Sequence, residues 1–186
     1  MNRFDVHPLW QSIAIVTATA LPAQVVVAAT YLTTESAQRA LFPEAQLFEP
    51  LKLSPTREQL QSISQSAGSQ AQHGKLDAWI ARQGSKVVGF VFVDEVVGRQ
   101  DFITYAVGID AGGRLRPVEI LEYRESHGGE IRNRRWLAQF AGRATPTELR
   151  FRTDIKNIAG ATLSSEHVTA GVRRILALWQ TLVRDR

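Results

Sequence analysis

The sequence predicts an α+β fold: a mainly antiparallel sheet flanked by helices, in a single domain after an N-terminal signal or anchor segment. Three observations predict it. β-rich segments follow one another through the middle of the 186-residue chain. The breaks between them are short enough for hairpins, and helical periodicity is confined to segments before and after them.

Residues 9–33 contain no charged side chain, and Arg3 precedes them in a short polar region. The apolar run from Ile13 is interrupted by Pro22 and ends in Val27-Ala28-Ala29, small residues of the kind signal peptidase accepts. Residues 1–29 therefore read as a signal peptide cut after Ala28 or Ala29, or as an uncleaved membrane anchor, since the uncharged stretch is long enough to span. Either reading puts the remainder outside the cytoplasm, periplasmic or extracytoplasmic.

Residues 30–74 read as a helical segment and a loop. Residues 34–42 form a short helix stopped by Pro43, with Thr33 or Thr34 as its cap. Pro55 opens a second helix in the position where a first turn tolerates proline. That helix fades into a Ser/Gln/Gly-rich loop over residues 62–74.

Residues 75–186 form the domain proper. Strands are expected at 76–82, 86–97, 102–109 and 115–123, broken by Gln83-Gly84-Ser85, Gly98-Arg99 and Asp110-Ala111-Gly112-Gly113. Ile103, Tyr105, Val107 and Ile109 alternate as in a strand with one buried face. Residues 133–141 then turn helical, with Trp136, Leu137 and Phe140 on one side. Residues 165–184 form the clearest helix, where Val168, Val172, Ile175, Leu176, Trp179 and Val183 make one apolar stripe.

Charge and cysteine usage narrow the chemistry. The net charge is +4 with no cysteine, which excludes disulfides, cysteine-ligated metal and iron–sulfur centres, and thiol catalysis. The densest basic stretch, Arg132 to Arg152, has neither zinc-finger spacing nor the aromatic pattern of an RNA-binding sheet, so no nucleic-acid partner is expected. No nucleophile–base pair and no metal-ligand cluster is evident.

Two glycine-bearing segments could hold a ligand. Glu122-Tyr123-Arg124-Glu125-Ser126-His127-Gly128-Gly129-Glu130 leaves a strand and enters a helix, and its Gly-Gly pair lets the backbone approach a flat ligand closely. Asn157-Ile158-Ala159-Gly160-Ala161-Thr162-Leu163-Ser164-Ser165 stands directly before the long helix, where free N–H groups and the dipole favour an anion. Ser164 or Ser165 could equally serve as an ordinary cap, with Glu166 in the first turn.

The run Gly160-Ala161-Thr162-Leu163-Ser164-Ser165, followed by a valine-bearing amphipathic helix, resembles the flavinylation segment of FMN-binding-domain proteins. These include the flavin-carrying C subunit of the sodium-pumping NADH:quinone oxidoreductase and the G subunit of the Rnf complex. Gly128-Gly129-Glu130-Ile131, Asn133, Trp136 and Gln139-Phe140-Ala141-Gly142 are similar to a second stretch of the same proteins. The resemblance implies FMN attached through its phosphate to Thr162 by an FAD:protein FMN transferase. It implies a lining of Gly160, Ala161, Leu163 and Ser164, with Asn157 and Lys156 near the phosphate. Glu125, Ser126, His127, Gly128 and Gly129 would approach the ring system, and Trp136 would stack beside it or pack in the core. Lys156 stands where the family has an aspartate and Ala159 where it has Ser or Thr, while Asp154 lies two positions further back. The implied role is an electron carrier between a membrane or periplasmic reductase and another acceptor, rather than a stand-alone enzyme. The alternative is a flavin-free accessory module on the same fold.

Overall fold

The computed structural model describes residues 29–68, 73–125 and 128–184. The expected signal or anchor segment lies outside them but for Ala29. Within them, six strands form one antiparallel sheet in the order β1-β6-β5-β4-β3-β2. They are β1 (Ala29–Thr30), β2 (Leu47–Pro50), β3 (His73–Gln83), β4 (Lys86–Val97), β5 (Phe102–Asp110) and β6 (Glu119–Tyr123). The helices are α1 (Thr34–Leu41), α2 (Arg57–Ala67), α3 (Arg134–Leu137) and α4 (Thr162–Leu182).

Local chemistry explains most boundaries. Thr33 caps α1 by accepting from the Ser36 amide at 3.2 Å, and Pro43 follows the end of the helix. Thr56 and Gln59 make a reciprocal capping box on α2, which ends at Gly68 in the left-handed region. Pro55 therefore precedes the cap and does not sit in the first turn. The helix also runs to Ala67, deeper into the polar stretch than its composition suggests, because Ile63 and Ala67 are buried.

The sheet is covered on both faces. α4, with α2 behind it, packs on Phe92, Val96, Ile103, Tyr105, Val107 and Ile109. α1 and Phe42 cover Val91, Val93, Ala106 and Leu121 on the reverse. The alternation in β5 marks its α4 face correctly, but the other face is buried too, since Ala106 is fully covered. The small side chains there concealed that burial from a hydrophobicity pattern. Each fully buried aliphatic side chain in these two layers contributes about 1.5–3 kcal/mol.

Two further differences concern the edges and the middle. The strand expected at 115–123 is only five residues long; Leu115 makes an isolated bridge to Ile109 and exchanges backbone bonds with Gly142 and Arg143. The helix expected at 133–141 is one α-turn, α3, between 3₁₀ turns at Gly129–Arg132 and Ala138–Phe140. Trp136, Leu137 and Phe140 are nevertheless buried, as their spacing indicates. Strands β1 and β2 carry no strong period and were not expected. β1 pairs Ala29 with Tyr123 and Thr30 with Glu122, so the residues astride the expected cleavage point already belong to the sheet. No helix among the described residues is long and apolar enough to cross a membrane.

Inside the α4 face lies a polar cluster. Asp94 is fully buried, receives the Tyr105 hydroxyl and pairs with Arg174 Nη2, each at 2.5 Å. Burial, then the neighbouring Asp94 charge, pushes the Tyr105 phenol well above its ordinary pKa.

Candidate functional site at the start of the last helix

The chain enters α4 through a turn at Gly160, whose φ of +85° is left-handed and open to glycine at no steric cost. The Ala161 amide donates to the Ile158 carbonyl at 3.1 Å and the Ala161 side chain is buried, which fixes the entry angle. Thr162 is the first helical residue. No side chain caps the helix, and the N–H groups of Thr162, Leu163 and Ser164 have no partner among the described residues. The serines expected to cap are used sideways. Ser164 Oγ faces the Tyr123 hydroxyl at 3.4 Å, and Ser165 Oγ donates toward Asn157 Oδ1 at 3.1 Å and the Thr162 carbonyl at 3.0 Å. A 21-residue helix thus presents unsatisfied donors and the positive end of its dipole beside a half-buried threonine.

The Gly128 segment stands against this turn. Gly128 has φ +88°, and a Cβ placed on it would lie 2.5 Å from Tyr123 Oη and 3.2 Å from Ala161 Cβ. The two glycine-bearing segments, widely separated in sequence, are therefore in contact through a position that tolerates no side chain. Burial raises the Tyr123 phenol above its ordinary pKa, so that hydroxyl remains protonated and able to donate.

A cleft of about 410 Å³ opens at this junction, lined by Arg99, Gln100, Glu125, Gly160, Ala161, Thr162, Leu163 and Ser164. Its far wall is the tip of the β4–β5 hairpin, held by Glu125. Oε1 of that residue accepts from the backbone N–H of Arg99, of Gln100 at 2.8 Å and of Asp101 at 3.3 Å. A second fastening comes from α4, where His167 Nδ1 donates to the Val97 carbonyl at 2.5 Å.

Of the residues singled out from the sequence, Glu125, Gly160, Ala161, Thr162, Leu163 and Ser164 share the cleft, and Gly128 abuts it. Ser126 and His127 lie outside the described residues. Asn157 and Lys156 line a neighbouring cleft of about 580 Å³ with Glu130, Asn133, Arg135, Trp136, Gln139 and Ile158. Asn157 also reaches the site itself, since its Nδ2 donates to Thr162 Oγ1 at 3.2 Å. Trp136 is not among the residues lining the Thr162 cleft. It packs edge-on to Phe140 and donates Nε1–H to the Lys156 carbonyl at 2.6 Å, so it supports the loop that carries Lys156. Gly129 begins the 3₁₀ turn behind Gly128. Asp154 is engaged elsewhere: Arg150 holds its carboxyl well below the usual range, at about 2, through side-chain and backbone hydrogen bonds.

Sequence reasoning missed Arg99, Gln100 and His167. Gly98-Arg99 reads only as a hairpin break, and nothing local brings that tip to the start of α4. Tyr123 lies within the first glycine-bearing segment, but the sequence assigns it no role there.

The cleft's size falls within the roughly 300–1,000 Å³ range of cofactor sites. Its donor set suits a phosphate: three free helix N–H groups at a dipole terminus, a hydroxyl and a glycine turn without Cβ. Exposed Leu163 offers an apolar surface beside it for a flat ring. No cluster of three or more metal-ligating side chains occurs among the described residues.

Comparison with known proteins bears on the same region. Residues 98–177 match the model of a family described as the FMN-binding domain, a span from the hairpin tip through most of α4. The chain is also 26% identical over 160 residues to the G subunit of the Na(+)-translocating ferredoxin:NAD(+) oxidoreductase complex of Acetobacterium woodii, covering 81% of this chain and 75% of that protein.

Proposed function

The chain carries an FMN-binding domain, with FMN as the cofactor that family implies, and from that premise we propose that it is an extracytoplasmic electron-transfer subunit holding FMN by a phosphoester to Thr162. The observation that carries the reading is the uncapped N-terminus of α4. A helix this long with no side-chain cap leaves the N–H groups of Thr162, Leu163 and Ser164 without a partner among the described residues at the positive end of its dipole, where a phosphate carried on Thr162 Oγ1 would be favoured. Gly160, Ala161, Leu163 and Ser164, which line the cleft beside Thr162, would hold the phosphate, with Glu125 and Gly128 on the opposing side. The flavin supplies the redox chemistry when bound, while the protein sets its position and solvent access.

The attachment is installed by an FAD:protein FMN transferase outside the cytoplasm, after export by the N-terminal segment. The electron-transfer partner is a membrane reductase, a role supported by the likeness to one component of a ferredoxin:NAD(+) oxidoreductase complex. A second reading, tight non-covalent FMN, rests on Lys156 and Ala159, which replace the aspartate and hydroxyl residue that precede the threonine in the family, and on the engagement of Asp154 with Arg150.

Expression in a periplasm with and without the transferase tests the proposal by intact mass and in-gel fluorescence. The expected result is a gain of one FMN less water that requires the transferase and disappears in Thr162→Ala. An unlabelled wild type beside a labelled control carrier refutes covalent attachment. Flavin that copurifies but is released on denaturation selects the second reading.

A further inference from the structure

Thr162 does not stand alone in the cleft. Asn157, five residues earlier, folds its carboxamide back over the Gly160 turn. Its Nδ2 donates to Thr162 Oγ1 at 3.2 Å while its Oδ1 is met by Ser165 Oγ at 3.1 Å. Ser165 is fully buried, so its hydroxyl requires partners, and its two acceptors are the Asn157 oxygen and the Thr162 carbonyl. The bonds run from Asn157 to the Thr162 hydroxyl and from Ser165 to Asn157, and the Ser165 hydroxyl, sharing its one proton, closes the circuit on the Thr162 backbone carbonyl.

A helical threonine divides between rotamers because its hydroxyl can turn back onto a preceding carbonyl. The Asn157 amide competes with that alternative by holding Oγ1, and it uses only one oxygen lone pair. The hydroxyl proton and the other lone pair remain available to the cleft. On the N-terminal side of Thr162 the position immediately before Asn157 is the cation Lys156, and Asp154 is bound to Arg150.

We propose that Asn157, oriented by Ser165, is the positioning residue that presents the Thr162 hydroxyl for flavinylation. This rests on the proposed attachment to Thr162. In that step Thr162 Oγ1 forms a bond to the flavin-side phosphorus of FAD and the P–O–P linkage breaks. AMP leaves, and the threonine proton passes to a base of the transferase. A carboxamide cannot take that proton at neutral pH, so the contribution of Asn157 is geometric.

The test uses the full chain with purified transferase and FAD, and follows initial rates of mass gain against chain concentration. Asn157→Ala is expected to lower kcat about tenfold, the rate equivalent of one lost hydrogen bond, with KM for the chain unchanged. Asn157→Asp keeps the size and lets Thr162 donate instead, and is expected to return kcat to within about threefold of wild type by the same conversion. Ser165→Ala also slows the step, and the double variant Asn157→Ala/Ser165→Ala is no slower than Asn157→Ala, because Ser165 acts through Asn157. An Asn157→Ala rate equal to wild type, an Asp variant no faster than Ala, or additive effects of the two substitutions overturns the inference. If the Ala variant does not fold, the Asp variant and Ser165→Ala carry the test. A wild type that the transferase leaves unlabelled overturns the attachment and this inference together, whereas a labelled wild type with an equally fast Asn157→Ala overturns this inference alone.

Discussion

Replacing Gly128 by alanine perturbs the contact that joins the two glycine-bearing segments. Two costs add there. An alanine at φ +88° is held in the left-handed region, at about 1–2 kcal/mol. Its Cβ would also lie 2.5 Å from Tyr123 Oη and 3.2 Å from Ala161 Cβ, and neither yields easily because both side chains are buried. Overpacking of this kind costs about 1–3 kcal/mol. Gly142 isolates the first term, since its φ is +79° and nothing lies within 4 Å of a Cβ placed there. Gly142→Ala is expected to lose only the backbone cost, and Gly128→Ala roughly 2–5 kcal/mol in all. Thermal unfolding reads the difference, at roughly 2–4 °C per kcal/mol for a chain of this size. A flavinylation assay reads the consequence at the cleft, where Gly128→Ala is expected to lower FMN yield and Gly142→Ala to leave it unchanged. Equal unfolding temperatures for the two variants, or full FMN yield in Gly128→Ala, refutes the claim that these segments meet through Gly128.

Three more outcomes follow from other contacts. Glu125→Ala frees the amides of Arg99, Gln100 and Asp101, so their hydrogen exchange is expected to quicken while exchange in mid-β4 stays slow; unchanged protection at the tip contradicts the role given to Oε1. Arg174→Met removes a partner of the fully buried Asp94 and is expected to cost about 3–5 kcal/mol, read by urea unfolding; a loss below about 1 kcal/mol means the pair does not hold the core. The folded pKa of Asp154 is depressed, so the stabilisation from its pair with Arg150 is present above the ordinary value of 3.8 and is lost as pH falls through about 2. Carboxyl NMR is expected to place its midpoint near 2, and Arg150→Ala to return it toward 3.8.

Legibility depended on how local each cause is. The hairpins at Gly84 and Gly98 and the stripe on α4 were plain because turn chemistry and helical period act over a few residues. The edge strands β1 and β2 were hidden because what makes them strands is a neighbour, β6 and β3 respectively, and not their own composition. Trp136 shows the same limit within the site. Its position beside the glycine segment is consistent with stacking on a ligand, yet its ring lies against Phe140 and its N–H reaches the Lys156 carbonyl.

Local sequence dictates the chemistry at each end of the site: a glycine turn, a threonine and a helix start within a few residues of one another, and a second glycine turn after a strand. Those depend on φ preference and helix polarity, which are written locally. It took tertiary packing to bring the two turns together at Gly128 and Ala161, and to close the cleft with a hairpin tip pinned by Glu125. Packing also engages the Ser164 hydroxyl, because Tyr123 is brought close to it, while Ser165 is held by Asn157 within its own turn. Both serines are thereby kept from capping, and for Ser164 the cause is contact with a strand that no local pattern relates to it.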